Sequence, residues 1–258
     1  MGPAPGDEPR RAEELARSLL AEALPRRWAH TQGVARRVRE LAPLLGSDTD
    51  LVETAAWLHD IGYSPGLVDT GLHSLDGARF LRYGAISERL DTRTVNEDAT
   101  RKDSGCHGTS CAEASQPAPG RPRGNLSSAF PIAVPGLVAH HTYARFEAEE
   151  RGLQNLLDTE FSLTAIKPEL LAALTVADLT TSPNGLTVAP NMRLAEISAR
   201  YPFDHPVSRA IRRAKPEALD MCAHLYREHR SLRAPPHGPS DPPPKTTGGR
   251  FSPRTSAR

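Results

Sequence analysis

The adjacent residues His59 and Asp60 close the apolar run Leu51-Val52-Glu53-Thr54-Ala55-Ala56-Trp57-Leu58. A carboxylate at the end of such a run is costly to bury unless a cation offsets it, and a metal ion would do so. One His-Asp pair cannot hold a metal tightly alone. Further candidate ligands stand at His30, in the stretch Pro25 to Ala35, and at Asp178, in Leu174-Thr175-Val176-Ala177-Asp178-Leu179. Two imidazoles and two carboxylates form a mixed N/O donor set suited to divalent Mn, Fe, Co, Ni, Zn or Mg. On a six-coordinate ion they leave positions for water and substrate, where the ion can activate the water and polarise a phosphoryl oxygen. Consecutive residues lie about 100° apart around a helix axis, so His59 and Asp60 can converge on one ion only near a helix end. Gly62 and Pro65 place that end directly after the pair. Asp60 is then both a ligand and the candidate catalytic carboxylate that orients or deprotonates the attacking water.

His73 and the pair His140-His141 are further imidazoles in range of such a site. As residues alone they read equally as donors to a substrate phosphate or as helix caps. Arg145 and Glu149 lie four apart on one helical strip. Arg145 either faces an anionic substrate, for which a guanidinium is suited, or makes a surface ion pair with Glu149, the more ordinary arrangement. Tyr63 and Asp69, on the loop after the His-Asp pair, either shape access or simply face solvent. No Walker pattern and no Gly-x-Ser-x-Gly elbow occurs. Cys106, His107 and Cys111 offer too few ligands for a zinc site.

The elements that must position these groups read as helices joined by short loops. Apolar residues at helical spacing and Pro, Gly and Ser-Asp boundary signals predict helices over 8–24, 25–45, one from 47–48 to the His-Asp pair, 74–83 and 134–150. Further helices are expected over 168–180, 190–201, 204–214 and 216–232. No segment alternates as a strand does, so the fold class is all-α. The stretch at about 91–131 is rich in Ser, Thr, Gly, Pro and charge without an apolar period, and reads as a disordered insertion. The proline-rich residues 233–258 read as a disordered tail. One domain over 8–232 is therefore expected, interrupted by the insertion.

The order His … His-Asp … Asp, within "RRWAHTQGVARRV", "AAWLHDIGYSPGLVDTGLHSLDGARFL" and "LVAHHTYARFEAEERGL", resembles the HD-domain superfamily, and most closely its small stand-alone bacterial members. The resemblance spans about residues 10 to 90 and 134 to 232. It implies a helical bundle with a metal held by His30, His59, Asp60 and Asp178. It also implies a metal-dependent phosphohydrolase that attacks a small phosphate ester, foremost a nucleotide, through a metal-activated water. Some relatives hold a second metal through two more histidines, with the Asp of the pair bridging both ions. That suggests His73 and His140, with His141 the alternative, and one or two ions in all. Two other readings follow from the same resemblance: a di-iron oxygenase that uses the extra histidines, or a non-catalytic metal- or nucleotide-binding regulatory module.

Bulk properties narrow the partners. The formal net charge is only +1, so no overall field draws the chain to nucleic acid or an anionic membrane. A small phosphorylated molecule is the expected partner, and the sequence leaves the oligomeric state open. Hydrophobic content of 38% beside 24 prolines fits an ordinary core diluted by unstructured segments. Three cysteines make no disulfide framework. The amino terminus has neither an apolar signal core nor a myristoylation pattern, which makes a cytoplasmic protein the expectation.

Overall fold

The computed structural model describes residues 6–84 and 130–233. The two segments expected to be disordered lie almost wholly outside that range, as do Cys106, His107 and Cys111. Among the described residues the fold is all-α, and the sole extended pairing is an isolated bridge between Thr181 and Thr187. No described helix is long and apolar enough to cross a membrane.

Helix α1 (Asp7–Leu20) buries Ala12, Ala16 and Leu20, one face at four-residue spacing, against α4 (Thr49–Leu58). Pro25 opens α2 (Pro25–Glu40), where the fixed φ of proline suits a first helical turn. The expected continuation to residue 45 breaks at Leu41, and a separate short α3 (Ala42–Leu45) follows. Pro43 falls in the first turn of that piece, where its missing N–H leaves no bond unmade. Helix α4 is buried along nearly its whole length from Val52 to Leu58. It packs against α1, α2 and α6 (Ala133–His140). Helix α5 (His73–Tyr83) packs on α6 and on the 3-10 turn Ile61–Tyr63.

The single helix expected over 134–150 is two. Helix α6 ends at His140, a 3-10 turn spans His141–Tyr143, and α7 (Ala144–Glu150) resumes. Thr142 and Tyr143 both have positive φ, at 48° and 61°. For a threonine and a tyrosine this conformation costs on the order of 1–3 kcal/mol each. A short α8 (Gln154–Glu160), which the sequence pattern did not suggest, buries Leu157.

Helix α9 (Pro168–Leu179) is apolar on every side and buried from Ala173 to Leu179, as a central helix must be. Helix α10 (Pro190–Ala199) follows. The two expected helices at 204–214 and 216–232 form one, α11 (Pro206–Arg233), with Pro216 inside it. Its buried stripe of Ala210, Ala214, Ala218, Cys222 and Leu225 runs unbroken past the proline. Pro216 lies on the exposed side, where the carbonyl it leaves without a partner can reach water.

Candidate metal centre

Six side chains from five parts of the chain meet between α2, α4, α5, the kink after α6, and α9. His30 projects from α2, and Asp178 from the penultimate position of α9. His59 and Asp60 follow the last residue of α4, where the chain leaves the helix for the 3-10 turn. His73 opens α5, and His141 begins the kink. All except His73 are almost fully buried.

Three of the imidazoles are oriented alike. Nδ1 lies 3.0 Å from the Ser182 carbonyl in His30, 2.7 Å from that of Ala56 in His59, and 2.7 Å from that of Val138 in His141. A carbonyl can only accept, so each Nδ1 carries a hydrogen, and Nε2 is the atom that can bind a metal from a neutral ring or donate to a carboxylate from a protonated one. Metal-ligating histidines are fixed in this way, by a carbonyl behind the ring. The three Nε2 atoms face the cluster. That of His30 meets Asp178 Oδ1 at 2.9 Å and lies 3.9 Å from Asp60 Oδ2. That of His59 lies 3.3 Å from Asp60 Oδ2 but outside hydrogen-bonding geometry, a buried nitrogen with no partner. That of His141 faces His73 Nε2 at 3.2 Å, and His73 Nε2 is 3.5 Å from Asp60 Oδ1.

Ligand atoms within 4.8 Å of one another fall into three overlapping groups: His30, His59 and Asp60; His59, His141 and Asp178; and Asp60, His73 and His141. Asp60 belongs to two of them, with one oxygen turned toward each. The residues thus fit a divalent ion on direct grounds. Nitrogen lone pairs and ionised carboxylates converge, and one buried nitrogen lacks any other partner.

Charge around the cluster is balanced by arginines that the sequence did not single out. Arg27 Nη1 donates to Asp60 Oδ2 at 2.8 Å, and its guanidinium stacks 3.9 Å over the Tyr63 ring. Tyr63 stacks in turn on His73 at 4.1 Å. Arg193, from α10, reaches within 3.8 Å of Asp178 Oδ1. Thr142 Oγ1, carried by the strained kink, donates to Asp178 Oδ2. Burial alone would push the Asp60 carboxyl up, but Arg27, His59 and His30 outweigh it and hold it well below the usual carboxylate range. Asp178 is likewise held low against its burial, by the hydrogen bond to His30 and the charges of His30, His59 and Arg193. Burial opposes protonation of His59, yet Asp60 and Asp178 raise its pKa. Burial and neighbouring histidines lower His73 and bring His141 down to about 4, so these two rings are neutral near pH 7.

Close backbone packing sets the positions. A Cβ on Gly33, three residues after His30, would lie 2.6 Å from the Gly185 Cα. Its absence lets the turn at 181–187 approach α2 and deliver the Ser182 carbonyl to His30. A Cβ on Gly62 would lie 1.9 Å from the His73 carbonyl oxygen, so glycine there lets α5 start against the turn that follows Asp60. Ahead of His73, the buried Asp76 accepts bonds from the backbone N–H of Asp69, Thr70 and Gly71 and from the Thr70 hydroxyl.

Two expected site residues lie elsewhere. His140 turns away, its Nε2 bonded to the Phe161 carbonyl at 2.5 Å, so His141 and not His140 stands with His73. The left-handed pair Thr142-Tyr143 ends the helix between them and decides which ring faces the cluster. Arg145 pairs with Glu217 at 2.6 Å, on the side of the molecule that His140 lines. The expected pairing of Arg145 with Glu149 is also replaced, because Glu149 bonds Arg213. Asp69 is bound to Arg79 rather than turned to the site.

The family model for the HD domain matches residues 27–105, a span holding His30, His59, Asp60 and His73 but neither His141 nor Asp178. The matched span is thus an HD domain, a family whose members are mostly metal-dependent hydrolases. No curated protein and no solved structure matches it.

Proposed function

We propose that this chain is a metal-dependent phosphohydrolase acting on a small phosphate ester, foremost a nucleotide. The observation that carries the reading is the common set of three carbonyl-anchored imidazoles, each presenting Nε2 to the ionised pair Asp60 and Asp178 beside two arginines. His30, His59, Asp60 and Asp178 would hold one ion, and Asp60, His73 and His141 would hold a second. The bound metal supplies Lewis acidity, polarising the phosphoryl oxygen and making water nucleophilic near neutral pH.

The remaining work falls to the chain's own groups. Asp60, kept ionised by Arg27, accepts a hydrogen bond from the attacking water and aims it. Arg27 and Arg193 are placed to bind phosphoryl oxygens, because a guanidinium offers paired donors in a fixed plane. Stacking between Arg27 and His73 holds Tyr63 as one wall of the site. In the reaction the water oxygen bonds to phosphorus, the ester P–O bond breaks, and a proton from water passes to the leaving oxygen.

The test is metal content and hydrolysis of a panel of phosphate esters, for the wild type and Asp60→Ala. One or two Mn, Fe, Co, Ni or Zn per chain, with turnover of a phosphate ester and loss of both in the variant, is the expected result. A metal-free protein that stays inactive with those ions and Mg would sink the reading. The second histidine group supports one rival, a di-iron oxygenase. Bound iron with oxygen uptake and no phosphate release would favour that rival.

A further inference from the structure

The metal-facing chamber is small, about 80 Å³, and is lined by Asp60, His73, His141 and Asp178. That volume is on the order of a few waters, at roughly 30 Å³ each, or one phosphoryl group. A larger chamber of about 360 Å³ adjoins it, and Arg27, Arg193 and Arg200 line both. The larger chamber also takes in Arg26 and His30, and its one acid is Glu196. Between the two stands Arg193, which is 4% exposed. One of its terminal nitrogens bonds Glu196 at 2.5 Å, while its Nε is buried with no partner. A buried guanidinium donor without an acceptor is a group whose partner comes from outside the chain. With Arg27 paired to Asp60, three arginines remain against one glutamate, which Arg193 and Arg200 share, and that excess of positive charge makes the acceptor an anion.

We propose that the substrate carries a second phosphoryl group, received in this arginine-lined chamber while the first lies at the metal centre. The substrate class is then a diphosphate or polyphosphate ester rather than a monophosphate. Resting on the phosphohydrolase reading, this assigns Arg26, Arg193 and Arg200 to binding the distal phosphate. Arg27, bonded to Asp60, marks the boundary between the two chambers.

Binding of inorganic pyrophosphate and of orthophosphate to the full chain tests it, by calorimetry at physiological salt after chelation so that no metal mediates either. Pyrophosphate is expected to bind at least about tenfold more tightly, the scale of one charge-assisted contact. Arg26→Ala and Arg200→Ala, both at exposed positions, should each shrink that preference, and together erase it. Arg193→Gln should weaken both ligands. Equal affinities, or a preference untouched in the double variant, would overturn the proposal. A parallel assay of the metal-loaded protein on matched mono- and diphosphate esters separates the two readings. Hydrolysis of monophosphates with no pyrophosphate preference defeats this inference alone. A preference that depends on Arg26 and Arg200, without hydrolysis of any ester, supports the chamber and defeats the phosphohydrolase reading.

Discussion

Gly62→Ala is the sharpest test of how the centre is assembled. The added methyl would lie 1.9 Å from the His73 carbonyl oxygen and 2.7 Å from the Gly77 nitrogen. Both are backbone atoms within the first five residues of α5, so no side-chain rotation relieves the clash. A tolerable contact requires that segment to retreat by more than 1 Å, carrying His73 with it. Overpacking of this kind costs about 1–3 kcal/mol. For a chain of this size that is a fall in melting temperature of roughly 2–4 °C per kcal/mol. The functional loss should be larger in proportion, because a 1 Å displacement of a positioned group can cost about 100-fold in rate. His73 Nε2 now lies within 3.5 Å of Asp60 and 3.2 Å of His141, distances that such a shift destroys. His30, His59 and Asp178 reach the cluster from other elements and should stay in place. The assay pairs thermal unfolding by circular dichroism with metal stoichiometry and phosphate release. Gly66→Ala is the control, since a Cβ there meets nothing within 4 Å. A Gly62→Ala protein with wild-type melting, metal content and activity would refute the argument that glycine is required for α5 to dock.

The two adjacent histidines should separate cleanly. His141→Ala is expected to lower metal content and activity, whereas His140→Ala loses a buried bond to the Phe161 carbonyl and costs about 1–3 kcal/mol of stability with metal content kept. Elemental analysis and melting of both variants read this out, and equal metal loss in the two would contradict the assignment. Asp76→Ala strips acceptors from three backbone N–H groups and a hydroxyl, and should destabilise by about 3 kcal/mol or more. Asp76→Asn, which keeps one carbonyl acceptor, should recover part of that in the same denaturation measurement. Cys222 is buried in α11 and its thiol pKa is pushed up to about 11 by that burial. The reactive thiolate is therefore scarce at pH 8, and iodoacetamide should leave Cys222 unmodified in the folded protein but label it in denaturant, as peptide mapping would show.

What the sequence discloses and what it hides divide along physical lines. The all-α class follows from apolar spacing, and the helix starts at Pro25, Pro168 and Pro190 follow from those prolines, because these signals are local. Pro216 misleads for the same reason. Local chemistry says break, while the stripe from Ala210 to Leu225 packs continuously and overrides it. The break that does occur, at Thr142-Tyr143, has no glycine to announce it. Its cost is offset by contacts remote in sequence, from Thr142 to Thr175 and Asp178.

The candidate site shows the same division at the level of single residues. His30, His59, Asp60 and Asp178 stand out because each is a polar group in an apolar or helical context that requires a partner. Whether His140 or His141 joins them depends on one backbone kink, to which neighbouring identical residues give no clue. The arginines were hidden for another reason. Arg27 and Arg193 carry no motif, and an arginine in a helix is ordinarily a solvated one. Arg193 differs only in sitting next to Leu194 on the inward side of α10, where both are buried. A cation there must answer a buried anion, and Asp178 together with Glu196 supplies only part of that answer. An inward-facing arginine on a helix beside a cluster of acids and histidines is therefore the signal that would have found it, and the Nε it leaves unpartnered points to a ligand of opposite charge.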